Sequence, residues 1–464
     1  MPYKTTLLGQ VYTFTSIKSV LAKANEEKSG DTMLGIGAAS LKERMAAKYI
    51  LSNLTLEELR KNPVVPYEDD EVTRVIDHMV NETIYQEIKN LSVGRFRDMI
   101  LSHQTTGEDI KRLSRALTGE MVAAVAKLMT NMDLVVGAKK INITSKCAYE
   151  IGLPGTISSR AQPNHPTDDI PGILASALEC LSYATGDCVL GVNPVEDSSE
   201  NTRRILEALH QLIVKLNIPT TNCVLSHITT QMEAVRRGAP CSMFFQSVAG
   251  TQTANTAFGI DASLLEEAHD LIKKRGISPG PNLMYFETGQ GSEQSIDCDH
   301  GADEMTLEAR SYGFAKQFNP YMVNNVSGFI GPETLYDGKQ ILRASLEDHF
   351  MGKLTGLPMG TAPCYTNHTN IDQNDQETAT MLLAMAGANF FMSIPMGDDV
   401  MLSYQDTSCH DNAAIRETLG LTPAPEFFAW AKEQGLLDEK GRLTKYAGDP
   451  SIFNYKGFNY KGGQ

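Results

Sequence analysis

The pattern of apolar and polar residues changes near residue 150. Before that point, apolar residues recur at three- and four-residue spacing, as in EVTRVIDHMVNETIYQEIKN (71–90) and TGEMVAAVAKLMTNM (118–132). This spacing is typical of amphipathic helices. Thr55 and Glu58 have the spacing of a capping box, in which each side chain bonds a backbone N–H group of the other residue. We therefore predict a helical N-terminal region over residues 1–150.

From about residue 155, short apolar or β-branched runs alternate with amphipathic helical patterns. One helix is predicted to begin at Asp197, which has the capping-box spacing to Glu200. The eight runs are GTISSR (155–160), DCVLGVN (187–193), TNCVLSH (221–227), SMFFQS (242–247), NLMYFE (282–287), YMVNNV (321–326), GLPMGT (356–361) and NFFMSIP (389–395).

Eight strand–helix units over about 250 residues are typical of a (β/α)8 barrel. An open doubly wound sheet is the alternative, and it is less favoured because its dinucleotide-binding fingerprint is absent. We therefore predict an α/β protein with a TIM barrel over residues 151–410. C-terminal helices and a tail are predicted over residues 411–464.

Polar residues occupy the C-terminal ends of the predicted strands, where TIM barrels place their active sites. They are Arg160 and Gln162, Asn193, Ser226 and His227, Gln246 and Ser247, Glu287, Asn324 and Asn325, Thr361 with its neighbour Ala362, and Asp398 and Asp399. Arg160 and Asn193 can bind an oxygen, and Glu287 can neutralise an ammonium group. Each residue alone is better explained by a barrel-rim hydrogen bond. Together, at five consecutive strand ends, they favour a site for a small molecule with one oxygen and one amino group.

Two further patterns limit the chemistry of this site. The glycines of YFETGQGS (285–292) do not form a phosphate loop, and GxxxxGK[ST] is absent. They are compatible with a tight turn beside a bulky cofactor. The ten histidines form neither HxH nor HExxH, so we predict no metal held by protein ligands. His227 alone could act as a base or a ligand, but a structural role is favoured because a ligand normally has companions.

Composition restricts the class of partner and the compartment. The formal net charge of −15 argues against a general nucleic-acid or anionic-membrane binder. The eight cysteines form no CxxC pair, the start MPYKTTLLGQVY has no apolar region of signal-peptide length, and no apolar stretch approaches ~18 residues. We expect a cytoplasmic protein that does not reside in the membrane.

Several long stretches are similar to those of a known family. They are YEDDEVTR (67–74), LPGTISSRAQPN (153–164), GVNPV (191–195), RRGAPCSMFFQS (236–247), YFETGQGS (285–292), GFIGPE (328–333), LEDHFMGKL (346–354), CYTNH (364–368) and GRLTKYAGDPS (441–451). With these stretches the chain resembles the large subunit of ethanolamine ammonia-lyase, from Thr5 to about Pro450.

The resemblance implies a lyase that uses base-on adenosylcobalamin at the barrel mouth to convert ethanolamine to acetaldehyde and ammonia by radical chemistry. It implies substrate-binding positions at Arg160, Gln162, Asn193, Glu287 and Ala362, with Glu287 and Arg160 also catalytic. It implies cobalamin contacts at Pro194, Gln246, Ser295 and Met401, and an aromatic cavity wall at Phe329. The DxHxxG motif of base-off cobalamin proteins is absent, and its nearest match, EDHFMG (347–352), lies at the end of a predicted helix and suggests a structural role.

Ala362 departs from the pattern that the resemblance implies, which is an aspartate at the end of the seventh strand. Losing a charge-assisted hydrogen bond costs about 1.5–3 kcal/mol, or roughly tenfold to a hundredfold in binding. Three explanations stay open: a natural substrate that is a different amino alcohol, an engineered or weakened variant, or compensation by Asp372 or Asp398. A catalytically silent paralogue is a further alternative. A cofactor-free hydrolase using Glu287 is less favoured, because no partnering carboxylate is evident.

The resemblance also implies partners. These are a small subunit, self-association to a hexamer built as a trimer of dimers, a reactivating chaperone and a bacterial microcompartment. We expect the chain to be inactive without the small subunit. The tail repeats FNYKG between residues 453 and 462. A solvated tail is the preferred interpretation, and a docking peptide is the alternative.

Overall fold

The chain begins with a β-hairpin that was not predicted. In the computed structural model, which describes residues 2–455, β1 (Tyr3–Leu7) pairs antiparallel with β2 (Gln10–Phe14). The two residues between the strands, Leu8 and Gly9, both have positive φ. Two such residues in succession are what a tight type I′ hairpin turn requires. The alternation of exposed and half-buried residues in β1 has the period of a strand.

Helices make up most of the remaining N-terminal region, as predicted. They are α1 (Ile17–Ala24), α2 (Ser29–Met33), α3 (Leu41–Asn53), α4 (Leu56–Lys61), α5 (Glu71–His78), α6 (Glu82–Ile88), α7 (Val93–Leu101), α8 (Gly107–Leu113), α9 (Gly119–Lys127) and α10 (Asn131–Lys140). The capping box of Thr55 and Glu58 is confirmed at the start of α4. Two short strands, β3 (Ser145–Lys146) and β4 (Glu150–Ile151), pair antiparallel and lead into the barrel.

All eight predicted barrel strands are confirmed. They are β5 (Ser158–Ala161), β6 (Val189–Val192), β7 (Asn222–Val224), β8 (Phe244–Ser247), β9 (Met284–Thr288), β10 (Met322–Gly328), β11 (Met359–Thr366) and β12 (Phe390–Ser393). Neighbouring strands are parallel in the order β7-β6-β5-β12-β11-β10-β9-β8. The barrel is thus nearly closed, with backbone pairing interrupted between β7 and β8.

Side chains bridge the interruption between β7 and β8. Asn222 and Ser242 exchange hydrogen bonds between backbone and side chain in both directions. The Gln231 side chain donates to the Phe245 carbonyl at 2.7 Å and accepts the Phe245 N–H at 2.9 Å. The ring of eight strands is therefore completed by side chains where the backbone ladder stops.

Helices surround the barrel strands on the outside. They are α11 (Ile170–Ser182), α12 (Ser199–Leu216), α13 (Ile228–Arg236), α14 (Gln252–Ala257), α15 (Ala262–Arg275), α16 (Glu304–Ala315), α17 (Gly338–Thr355) and α18 (Gln373–Met385). The predicted cap at Asp197 is wrong. Ser198 caps α12 by accepting the Asn201 N–H, whereas Asp197 accepts the backbone N–H of His227.

Two short strands and two helices follow the last barrel strand. β13 (Asp398–Asp399) and β14 (Tyr404–Gln405) form a small hairpin, and β14 also pairs antiparallel with the end of β11. α19 (Cys409–Leu419) and α20 (Pro425–Glu433) follow. Residues 456–464, which hold most of the FNYKG repeat, lie outside the described residues, so both interpretations of the tail stay predictions. The predicted domain boundaries also stay predictions.

Buried ion pairs join the N-terminal region to the barrel helices. Arg310 of α16 contacts Asp70 and Glu120, each at 2.6 Å, and all three side chains are buried. Lys28 and Glu347 form a second buried pair at 2.7 Å. Burial alone would raise the pKa of Glu347, but the charges of Lys28 and Arg343 bring it to about 2. Among the described residues, no helix is long and apolar enough to cross a membrane.

Candidate active site at the barrel mouth

The ends of β5 and β9 bring Arg160 and Glu287 together. Arg160 Nη1 lies 3.2 Å from Glu287 Oε1 and donates to the Tyr285 hydroxyl at 3.0 Å. Its other amino group, Nη2, donates to Asn193 Oδ1 at 2.9 Å. Glu287 Oε1 also accepts the Tyr285 hydroxyl hydrogen at 2.6 Å and Asn324 Nδ2 at 3.3 Å. The Arg160 side chain is buried, and that of Glu287 is 15% exposed. Arg160, Tyr285 and Asn324 therefore converge on one oxygen of the glutamate, and Asn193 joins this cluster through Arg160.

The neighbouring strands position this cluster. Tyr285 and Glu287 are two residues apart on β9, so they lie on the same face. Gly191 of β6 leaves room for the guanidinium, because a Cβ there would lie 2.8 Å from Arg160 Nε. Burial alone would lower the pKa of Arg160, but Tyr285 and Glu287 raise it above its ordinary value. The site therefore holds a permanent positive charge beside the glutamate.

Several polar atoms of the predicted site residues take part in no hydrogen bond within residues 2–455. Glu287 Oε2, Asn193 Nδ2 and Gln162 Oε1 are three of them. Three others in this range are buried without a partner: Arg160 Nε, Asn324 Oδ1 and Thr361 Oγ1. A carboxylate oxygen and an amide oxygen accept hydrogen bonds, and an amide N–H group donates one. The site can therefore bind a small molecule that carries both donor and acceptor groups.

A second cluster fixes the orientation of Gln162. Gln162 Nε2 donates to Asp399 Oδ2 at 2.6 Å and lies 2.8 Å from the Tyr404 hydroxyl. Asn164 Nδ2 donates to the same Asp399 oxygen at 2.8 Å, and two backbone N–H groups donate to Oδ1. Because a carboxylate can only accept, the amide nitrogen of Gln162 must face Asp399, which leaves its oxygen free. Both oxygens of Asp399 are thus used for structure.

Ala362 lies in a buried apolar cluster at the ends of β11 and β12. The cluster consists of Ala362, Cys364, Met392, Ile394 and Tyr404. Asp372 and Asp398, the two carboxylates considered as compensation, are both exposed. Asp372 caps the start of α18, and Asp398 accepts a hydrogen bond from Gln405. Neither carboxylate is buried beside Ala362.

A buried carboxylate that was not predicted, Asp406, follows β14. Its side chain is nearly inaccessible: Oδ1 accepts the N–H of Thr407 at 2.6 Å, and Oδ2 has no hydrogen-bond partner. Burial raises the pKa of Asp406 to about 7, although Thr407 and Arg160 lower it, and Glu287 adds to the rise. Tyr285 could have been found from its spacing to Glu287. Asp406 lies beyond the strand ends in a loop, where no sequence signal marks it.

Comparison with known proteins identifies the family. The model of the family "Ethanolamine ammonia lyase large subunit (EutB)" matches residues 12–446. The chain belongs to the ethanolamine ammonia lyase large subunit family. It is 51% identical over 453 residues to the large subunits of Escherichia coli (strain K12), Escherichia coli O157:H7 and Salmonella typhimurium (strain LT2), covering 98% of this chain and 100% of each relative.

A solved structure of a mandelate racemase/muconate lactonizing protein from Herpetosiphon aurantiacus is far more distant. It covers 73% of this chain and 79% of its own, at 11% identity and a TM-score of 0.29. That likeness supports no conclusion, so the family assignment rests on the sequence matches.

The positions that resemblance to the ethanolamine ammonia lyase large subunit family assigns to cobalamin follow several different strands. Pro194 and Met401 are half-buried, and Ser295 is exposed and donates to the Ser292 carbonyl. Gln246 is buried, and its Oε1 accepts the backbone N–H of Ile228. Pro194, Ser295 and Met401 follow strands β6, β9 and β12, and Gln246 lies near the C-terminal end of β8, at the same end of the barrel as Arg160. Their contacts with a cofactor stay a prediction.

His227 and His349 lie at the start of one helix and inside another in this member of the ethanolamine ammonia lyase large subunit family. His227 precedes α13, where Nδ1 accepts the Thr229 N–H and Nε2 bonds the Phe258 carbonyl. His349 lies inside α17 rather than at a helix end, and it is completely buried. Burial lowers the pKa of His349 well below its ordinary value. Among the described residues, no group of three or more His, Cys, Asp or Glu side chains could hold a metal ion.

Proposed function

We propose that this chain is the catalytic subunit of an adenosylcobalamin-dependent lyase that converts ethanolamine to acetaldehyde and ammonia. The observation that carries the proposal is the set of free polar atoms at Glu287, Asn193 and Gln162, in a chain of the ethanolamine ammonia lyase large subunit family. The name of the similar proteins gives ethanolamine as their substrate. The proposal extends that substrate to this chain.

The three free atoms match the two ends of ethanolamine. The ammonium group donates to Glu287 Oε2 and Gln162 Oε1, and the hydroxyl oxygen accepts from Asn193 Nδ2. Tyr285, Asn324 and Arg160 hold the other oxygen of Glu287, so the carboxylate does not rotate away. Arg160 also fixes Asn193 through Nη2. Binding at both ends orients the carbon chain between them.

The residues around the mouth fit a large planar cofactor. Val195, Ile296, Phe329, Met396 and Val400 are apolar and exposed, and they follow strands β6, β9, β10 and β12. An apolar rim of this kind suits the face of a corrin ring. A cobalamin that keeps its own lower base needs no protein histidine, which agrees with the burial of His349 inside α17. Pro194, Gln246, Ser295 and Met401 are the residues that we propose hold it.

When bound, adenosylcobalamin supplies the radical chemistry that breaks the carbon–hydrogen bond of the substrate. The protein residues bind, orient and shield. Phe329 packs edge-on against Tyr404 at a centroid distance of 5.2 Å. These two rings form an apolar wall beside Gln162 and help to exclude water from the reacting carbons. Glu287 Oε2 keeps the amino group within the site during its transfer.

The proposed assembly has further members. Membership of a large-subunit family supports a small-subunit partner, and we propose that this partner completes the cobalamin site. A hexamer built as a trimer of dimers, a reactivating chaperone and residence in a microcompartment are proposed from the same resemblance. We expect no turnover from this chain with adenosylcobalamin until the small subunit is added.

Glu287→Gln tests the role of the glutamate. We expect ethanolamine turnover to be abolished, because a neutral amide cannot match the charge of the ammonium group, while adenosylcobalamin binding stays close to that of the unmodified complex. Steady-state acetaldehyde formation measures the first effect, and a spectrophotometric cobalamin titration measures the second. Both use the complex with the small subunit.

Glu417→Gln is the matched control for this test. Glu417 is exposed on α19, so its replacement should leave turnover and cobalamin binding unchanged. Normal turnover in Glu287→Gln would contradict the proposed substrate contact. Loss of cobalamin binding in that variant would show that Glu287 contributes to the cofactor site instead.

A different amino alcohol is the second candidate substrate, because Ala362 adds no polar group at the end of β11. Turnover of a panel of amino alcohols by the reconstituted complex distinguishes the two. Faster turnover of a longer or branched amino alcohol than of ethanolamine would favour the second candidate. The absence of any cob(II)alamin radical signal by electron paramagnetic resonance, with every substrate, would favour the silent paralogue.

A further inference from the structure

Asp406 is a buried carboxylate with half of its hydrogen-bonding capacity unused. The residue is 3% exposed, and its Oδ1 accepts the backbone N–H of Thr407 at 2.6 Å. Its Oδ2 is buried and has no partner. An unpaired buried carboxylate oxygen is costly, because it has lost the water that would otherwise bond it. Such an atom calls for an explanation in terms of a ligand or a shared proton.

The backbone around Asp406 lies at the ends of the seventh and eighth barrel strands. β14, directly before it, pairs with Tyr365 and Thr366 at the end of β11. Thr407, directly after it, donates its hydroxyl hydrogen to the Met392 carbonyl of β12 at 2.7 Å. The carboxylate is therefore inserted from a loop into the region of Ala362, which packs with Met392 and with Tyr404 of β14.

The charged and titratable groups that act on Asp406 are those of the candidate site. Besides burial, Thr407 hydrogen bonds and the Arg160 charge lower its pKa, and Glu287 raises it. Asp406 in turn adds to the effect of burial in raising the pKa values of Tyr404 and Cys364. These groups lie on β5, β9, β11 and β14. Their charges act together with the position of Asp406 after β14, which pairs with the end of β11.

We infer that Asp406 supplies a second carboxylate for the substrate ammonium group, from the loop after β14, in place of a carboxylate at position 362. This inference rests on the proposed function. The other acidic residues near this end of β11 and β12 are not free to do so. Both oxygens of Asp399 are bonded by Gln162, Asn164 and backbone N–H groups, and Asp398 is exposed.

Asp406→Asn is the direct test, in the complex with small subunit and adenosylcobalamin. The amide keeps the size of the side chain and can still bond Thr407. We expect KM for ethanolamine to rise about tenfold to a hundredfold, the effect of losing one charge-assisted hydrogen bond. The affinity for adenosylcobalamin should not change. Asp270→Asn, at an exposed position on the outer helix α15, is the matched control and should leave KM unchanged.

Ala362→Asp in the Asp406→Asn background tests whether the carboxylate can be moved. A carboxylate at position 362 should restore most of the lost affinity for ethanolamine. If Asp406→Asn only damages the structure, a carboxylate at position 362 should not restore that affinity. A KM in Asp406→Asn within twofold of the unmodified value overturns the inference. A raised KM that Ala362→Asp leaves unrestored also overturns it.

If Asp406→Asn does not fold, the pH dependence of KM in the unmodified complex tests whether Asp406 binds the ammonium group. The substrate amine stays protonated below about pH 9, since alkyl ammonium groups titrate near 10. Only the ionised form of Asp406 binds the cation. KM should therefore fall about tenfold per pH unit as the pH rises towards the pKa of Asp406, and then level. A KM that does not change between pH 5.5 and 8 overturns the inference.

The result for Asp406 can be separated from the result for the proposed function. If the unmodified complex binds a different amino alcohol and not ethanolamine, the proposed substrate fails. The Asp406 inference is then decided by the affinity of Asp406→Asn for that amino alcohol, measured by calorimetry. Binding of no amino alcohol by the unmodified complex would overturn both.

Discussion

At the scale of single residues, the site depends on the missing Cβ of Gly191 and on the missing carboxylate at Ala362, as well as on the side chains that are present. Arg160 and Glu287 were predicted because the barrel rule directs attention to strand ends. Their partner Tyr285 was not singled out, although it precedes Glu287 by two residues on one face of β9. Gly191 was not predicted either, because a sequence does not show which side chain will need the space of a missing Cβ. Asp406 lies in a loop, and its burial follows only from the pairing of β14 with β11.

Gly191→Ala is expected to disturb the guanidinium of Arg160. A Cβ at this position would lie 2.8 Å from Arg160 Nε, and the guanidinium cannot shift freely because it contacts Tyr285, Glu287 and Asn193. We expect kcat/KM for ethanolamine to fall about tenfold or more, the effect of displacing one positioned group. Steady-state kinetics measure the change.

Gly37→Ala is the control for this substitution. The nearest atom to a Cβ at Gly37 would lie at 3.5 Å, which is ordinary contact, and its φ is not in the left-handed region. Its kcat/KM should stay within twofold of the unmodified value. Equal activity of the two glycine variants would show that the Arg160 guanidinium tolerates displacement.

At the scale of elements, the long apolar runs were predictable and the short hairpins were not. Buried parallel strands such as β9 (MYFET) and β12 (FFMS) are rich in apolar residues, so the eight runs predicted eight strands. The strand β5 (SSRA) is polar and lies at the end of its predicted run. β13 and β14 have two residues each, which is too short for any periodicity to show. The hairpin of β1 and β2 had a signal, a glycine between alternating residues, which the helical pattern of the following region obscured.

Arg310→Leu is expected to destabilise the junction between α16 and the N-terminal helices. The substitution leaves Asp70 and Glu120 buried without their cation. Breaking a buried pair in this way costs about 3–5 kcal/mol. The loss should appear as a large fall in the midpoint of urea or thermal unfolding.

Arg236→Leu provides the comparison. Arg236 pairs with Glu267 at 2.7 Å on the surface, where both side chains are largely exposed. An exposed pair contributes about 0–1 kcal/mol. Similar unfolding midpoints for the two arginine variants would mean that the junction does not depend on the Arg310 contacts.

At the scale of the whole molecule, buried acids make stability depend on pH. Burial raises the pKa of Glu293 to about 7 and that of Asp31 to about 6. In each case the folded state holds its proton at a pH at which the unfolded state has lost it. The contribution of these groups to stability is therefore full below about pH 4 and is lost as the pH rises to about 7.

Glu293→Gln should remove part of this dependence. Glu293 Oε1 accepts the Gly250 N–H, and an amide oxygen can do the same. Relative to the unmodified chain, the variant should gain about 3 kcal/mol between pH 4.5 and pH 7, which is the shift in pKa converted at 1.36 kcal/mol per unit. Thermal unfolding midpoints across this pH range measure the gain, and a difference that is constant with pH would contradict it.

The seam between β7 and β8 has a consequence for how the barrel is closed. Backbone ladders join the other neighbouring strands, but here the Asn222 side chain of β7 and the Gln231 side chain of α13 bond the chain at β8. Gln246, on the same seam, bonds Ile228 across it. Substitution of one of these side chains can therefore change the contacts at this point while every backbone ladder of the barrel stays intact.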